Sequence, residues 1–136
     1  MTLKWNGDAI QKDIKLATVD GCFNTAEIIL TDAMKRVPRD TGVLSNSGTI
    51  TTDEPNPQEI YSKALTGNVG YAQNVSPETE SIYVSFNTPY AFRQHEELGY
   101  NHPNGGEAKY LEKAWNAKIK TLKANITAIA KQRGLM

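Results

Sequence analysis

The chain is poor in most of the features that carry chemistry. Among its 136 residues there is one cysteine, Cys22. An intrachain disulfide and a thiolate zinc site built from this chain alone are therefore excluded. Cys22 lies among helical positions beside Phe23 and Ala26, where a small buried thiol is expected. No apolar run approaches the length of a membrane span, and the N-terminal stretch Met1 to Asn6 has no long apolar segment. The protein is thus expected to be made in the cytosol and to have no membrane role. There is no glycine-rich phosphate loop, no internal repeat and no low-complexity tract. The length fits a single domain, residues 1–136, with room for one core.

Net charge is also lacking: 15 basic side chains balance 15 acidic ones. Their distribution is uneven. From Thr52 to Tyr100 the acids Asp53, Glu54, Glu59, Glu78, Glu80, Glu96 and Glu97 face only Lys63 and Arg93. From Asn101 onward, Lys109, Lys113, Lys118, Lys120, Lys123, Lys131 and Arg133 face only Glu107 and Glu112. Such segregation makes either two solvated faces of opposite sign or a self-complementary subunit that packs head to tail. Nucleic-acid binding through the basic segment is disfavoured by the neutral total and by the scarcity of aromatics among the lysines.

Periodicity predicts an α+β fold. Long N-terminal and C-terminal helices pack on a small, mainly antiparallel sheet, with a short helix after the last strand. The first helix runs from a cap at Asp8 to about Val37, with Ile10, Ile14, Ala17, Phe23, Ala26, Leu30, Ala33, Met34 and Val37 on one stripe. Gly21 marks a plausible kink. Pro38 cannot continue the helix, Asp40 and Thr41 favour an Asx-turn, and Gly42 supplies a positive φ if the turn needs one. A strand is expected over Leu44 to Thr52, followed by a proline-rich turn from Asp53 to Pro57. Residues 58–74 fit one strand, two strands or a short helix. Ser81 to Asn87 alternates as a half-buried strand. Thr88 as cap and Pro89 as first residue open a short helix that Gly99 ends. Residues 101–106 read as a loop, and the last helix covers about Glu107 to Arg133, with Leu111, Trp115, Ile119, Leu122, Ile126 and Ile129 facing inward.

Three catalytic readings fail on pattern. Asp40-Thr41-Gly42 is the triplet of aspartic proteases, which pair two such carboxylates on strand-flanked loops. Here the triplet follows a helix and Pro38, in surroundings too helical for an all-β protease. His95 and His102, with Glu96 and Glu97 alongside, invite a metal hydrolase reading. Zinc-protease histidines stand four apart on one helix, whereas these stand seven apart across Gly99. A hydrogen bond near the strand–helix corner accounts for His95, and a loop position for His102. Ser45 and Ser47 have no base at a telling spacing.

Three segments in order carry a resemblance: Pro38-Arg39-Asp40-Thr41-Gly42-Val43-Leu44 with Ser47, then Pro89-Tyr90-Ala91 with Gln94-His95-Glu96, then Ala108-Lys109-Tyr110-Leu111-Glu112-Lys113-Ala114. Together they resemble the minor capsid or neck proteins of tailed bacteriophages, relatives of the tail-completion proteins that join a filled head to a tail. The resemblance covers about Met34 to Trp115, and residues 53–80 contribute nothing to it. It implies a non-enzymatic virion protein, without cofactor or metal, made in the bacterial cytoplasm and assembled at the head–tail junction. It also implies a ring, six- or twelve-fold, between connector or stopper proteins on the head side and a tail terminator or tail tube on the other. DNA would be met only by passage through the channel. On this reading Lys118, Lys120 and Lys123, with the loop residues Asn104, Gly105 and Gly106, are the expected interface.

Overall fold

The computed structural model describes residues 7–38, 42–67, 74–99 and 106–136. It is a mostly helical α+β fold. The elements in order are α1 (Gly7–Arg36), α2 (Val43–Asn46), β1 (Thr49–Thr51), α3 (Pro57–Leu65), β2 (Tyr83–Ser85), α4 (Ala91–Glu96), α5 (Tyr110–Lys118), a 3₁₀ turn at Ile119–Thr121, and α6 (Leu122–Gln132). The two strands form an antiparallel ladder with Ile50 opposite Val84.

The long N-terminal helix packs against the C-terminal helices, and the small sheet touches α1 to one side. The buried ridge of α1 is Ala17, Gly21, Thr25, Ile29, Ala33 and, just past its end, Val37. These residues recur every four positions, one of the natural ridges of a helix surface, and most are small. A low ridge lets α6 approach closely. A Cβ on Gly21 would lie 2.4 Å from Cγ1 of Ile126 and 2.7 Å from its Cα. Gly21 is therefore a point of close approach within a helix that runs without a break from Gly7 to Arg36, where a kink was expected. Beside it, the buried Thr25 hydroxyl donates to the Gly21 carbonyl and accepts from Asn125 Nδ2, both at 2.9 Å.

The pairings Thr25–Asn125, Gly21–Ile126 and Asp20–Arg133 run in opposite directions along the two helices, so α6 is antiparallel to α1. Past Ala17 towards its N-terminus, α1 has outrun its partner. Ile10 and Ile14, expected on the core stripe, are therefore exposed.

Other boundaries depart from expectation for local reasons. The strand expected from Leu44 starts only at Thr49. Gly42, at φ 82°, accepts from the Asn46 amide, and Ser47 Oγ donates to the Leu44 carbonyl at 2.7 Å, which winds Val43–Asn46 into one helical turn. Side chains that bond nearby backbone compete with a strand in this way. After the turn, Asn56 Oδ1 caps α3 by accepting from the Glu59 amide, and Pro57 takes the first helical position. That selects the helix among the three possibilities for residues 58–67; positions 68–73 lie outside the described residues. Thr88 does not cap α4. Its carbonyl closes a turn with the Ala91 amide, Pro89 sits within that turn, and the helix ends at Glu96, ahead of Gly99.

The last helix begins at Tyr110 rather than Glu107. It is interrupted at Ile119–Thr121, where the Thr121 hydroxyl donates to the Lys118 carbonyl at 2.7 Å. Trp115, expected to face inward, is half exposed; Ala114 beside it is fully buried.

Replacing Gly21 by alanine sets two effects against each other. Helix propensity favours alanine by about 1 kcal/mol. The added methyl meets backbone atoms of Ile126, and overpacking of that kind costs about 1–3 kcal/mol. We expect Gly21→Ala to lower Tm by several degrees in a thermal melt; an unchanged or raised Tm would show that the helices part without cost.

Candidate functional site

Five of the residues singled out in the sequence, Leu44, Tyr90, Ala91, Tyr110 and Leu111, meet at one buried joint. Val37 at the end of α1, Leu44 of α2, Ala91 of α4 and Tyr110 of α5 form a core cluster, with Phe86, Tyr90 and Leu111 packed around it. Tyr110 is its centre. Its hydroxyl donates to the Ala91 carbonyl at 2.7 Å. Its ring meets those of Phe86 and His95 edge to face, with centroids 5.3 and 4.9 Å apart. Burial pushes the phenol well above the usual tyrosine range.

A second, polar lock joins the corner to the sheet. Ser47 Oγ accepts from the Asn87 amide at 2.9 Å, and Asn87 Nδ2 donates to the Ser47 carbonyl at 2.9 Å and to Ser85 Oγ at 3.0 Å. Sequence pattern alone does not distinguish Asn87. The available signal was its place on the polar side of the β2 alternation, which here faces Thr49 and Ser47 instead of solvent.

His95 is a clamp between helices. Nε2 accepts from the Glu112 amide at 3.2 Å, Nδ1 faces Glu96 Oε1 at 2.8 Å, and its carbonyl accepts from the Lys109 amide at 2.6 Å. With Nε2 an acceptor, the neutral ring carries its proton on Nδ1 and donates it to Glu96. The partner is thus the first turn of α5, where amides lack helical acceptors, and not the strand–helix corner. Both ring nitrogens are engaged, which leaves His95 no free electron pair for a metal. His102 and Asp40 lie outside the described residues, as do Thr41, Asn104 and Gly105. No group of three potential metal ligands occurs among the described residues.

Charge surrounds the joint. Glu96 pairs with Lys109, and Glu107 pairs with Arg36 at 3.0 Å and Lys113 at 3.1 Å. Hydrogen bonds from Lys109 and His95 hold the Glu96 carboxyl below its ordinary range, and those from Lys113 and Arg36 do the same for Glu107. Gly106, at φ 94°, lets the chain pass over the end of α1: a Cβ there would lie 2.4 Å from Pro38 Cα. The Glu107 amide then donates to the Arg36 carbonyl at 2.8 Å.

The expected interface lysines do not form one patch. Lys120 and Lys123 share a shallow depression with Lys131, whereas Lys118 lies beside Asp32 and Lys35 of α1. A separate apolar groove of about 450 Å³ opens between α1, the 79–84 segment and α5. Cys22, Ala26, Glu80, Ile82, Leu111 and Trp115 line it. Cys22 is therefore half buried on a groove wall, not sealed in the core, and burial raises its thiol above the ordinary value.

Tyr110→Phe removes one hydroxyl and its bond to the Ala91 carbonyl. A loss on the order of 0.5–1.5 kcal/mol in denaturant unfolding is expected. The pH limits follow from the shifts. Tyr110 is raised, so its contribution is complete below the ordinary tyrosine value of about 10 and is lost as pH rises beyond it. Glu96 and Glu107 are lowered, so theirs is complete above the ordinary carboxylate range and is lost as pH falls through the lowered values. Stability of the parent protein should therefore fall more steeply above about pH 10 than that of Tyr110→Phe; parallel curves would contradict the buried phenol.

Comparison of the chain with models of known protein families, with curated proteins and with solved structures yields no match.

Proposed function

We propose that this chain is a structural subunit of the head–tail junction of a tailed bacteriophage, acting in a ring that joins the DNA-filled head to the tail. The observation that carries the reading is the joint itself. The three segments that resemble neck proteins are far apart in sequence, yet Leu44, Ala91 and Tyr110, one from each, pack into a single cluster.

The use made of these side chains also favours structure over chemistry. The Tyr110 hydroxyl is spent on a backbone carbonyl, both His95 nitrogens are engaged, and Ser47 Oγ both donates and accepts. The subunit has no catalytic step on this reading and takes neither metal nor cofactor. The joint makes a rigid wall, and the surface around it meets the neighbours: connector or stopper proteins towards the head, a tail terminator or the tail tube towards the tail. DNA passes through the ring's channel without being bound in a sequence-dependent way. The protein is made in the bacterial cytoplasm and resides in the virion.

Deleting the gene from its phage and viewing the particles by electron microscopy tests the reading. Filled heads separated from complete free tails are the expected result. Normal infectious virions would overturn it.

A further inference from the structure

Two apolar features of the surface stand open to solvent. Phe92 and Leu98 are 76% and 75% exposed, both within one seven-residue stretch around α4. Isolated apolar side chains on a surface are common. Here, however, an apolar groove of about 450 Å³ stands open elsewhere on the same chain, with the half-exposed Trp115 on its wall. None of residues 91–98 lines that groove. We propose that copies of this chain associate head to tail, with Phe92 and Leu98 of one copy in the groove between α1, the 79–84 segment and α5 of the next.

Size and charge both favour a second copy as the occupant. A groove of this volume takes an aromatic ring together with a neighbouring aliphatic side chain. Arg93, next to Phe92, is exposed and pairs with no acid among the described residues. Glu80 lines the groove, and Lys12 and Lys15 line an adjoining depression with Asp8 and Glu78. The groove side therefore offers an acid to Arg93 and bases to Glu97.

The two surfaces differ, so the contact is heterologous and propagates in one direction until it closes on itself. Phe92 contributes about 150–250 Å² of contact, and the pair falls well short of the roughly 1,200 Å² typical of a stable complex. Each contact is consequently weak, and many made together in a closed ring hold. This inference rests on the ring proposed above and supplies its subunit contact.

Cys22, the sole cysteine, provides a probe inside the groove. Phe92→Cys places a thiol on the opposite surface, so each chain then carries one thiol for each side. Diamide treatment at high micromolar protein should give a reducible ladder of dimers, trimers and larger species. Adding Cys22→Ser should abolish the ladder. Leu98→Cys, which keeps Phe92 in place, should give the same ladder, weakened several-fold by Arg93→Glu and restored by the further change Glu80→Arg.

Dimers that survive Cys22→Ser would indicate contact between like surfaces and overturn the proposal. So would cross-linking by both variants no greater than that of Lys131→Cys. The gene deletion separates this idea from the one beneath it. Heads parted from tails with no ladder defeat the contact alone; a ladder with infectious deletion virions defeats the junction reading and leaves the contact standing.

Discussion

The fold around the joint depends on one buried phenol. Tyr110 opens α5, its hydroxyl reaches the Ala91 carbonyl at the start of α4, and its ring sits among Val37 and Leu44. The corner at Val37–Leu44 and the start of α4, distant in the chain, are thereby both fixed to one side chain of α5. The edge contacts with Phe86 and His95 settle how the ring is turned. His95 in turn accepts from the first turn of α5, so the helix that carries Tyr110 is held at its own start by the helix that Tyr110 bonds. Such reciprocal fixing leaves little freedom at the corner between the long helices and the sheet.

Charge is used in two ways. Near the joint it is spent within the chain: Glu96 with Lys109, Glu107 with Arg36 and Lys113, and Asp20 with Arg133 at the far end of α6. Of these pairs, Glu96–Lys109 alone joins the acidic middle to the basic C-terminal part of the sequence, so the segregation serves internal docking at that one point. Exposed pairs of this kind contribute modestly to stability. Lys120, Lys123 and Lys131 form no ion pair with a described residue, and neither do Glu78 and Glu80. The charge left for neighbours is thus smaller and more local than the sequence alone implies.

Much of the architecture was legible because it is written in long-period pattern. α1 announces itself through thirty residues without proline, basic residues in its last turn, and Pro38 beyond. The alternation of Ile82, Val84 and Phe86 marks the strand, and the positive φ of Gly42 follows from its turn. What escaped was decided by partners distant in sequence. Gly21 and Thr25 look like weak helix positions, and only the approach of Ile126 and Asn125 shows why they are small or polar. Ile10 and Ile14 continue the stripe in sequence but lie beyond the reach of α6. Lys109 takes a left-handed conformation, at φ 56°, that no local pattern forecasts. Nothing local in the sequence foretells that Leu44, Ala91 and Tyr110 meet, or that Asn87 is the polar lock beside them.

On the proposed reading, the joint, the groove and the exposed stretch around α4 belong to a subunit whose interior is fixed and whose surface is left to meet copies and neighbours. Direct localisation in purified phage is the most direct test of that account. Gold-labelled antibody against this protein should decorate intact or mildly disrupted virions at the boundary between head and tail. Label absent from virions, or spread over the capsid shell or along the tail, would contradict it.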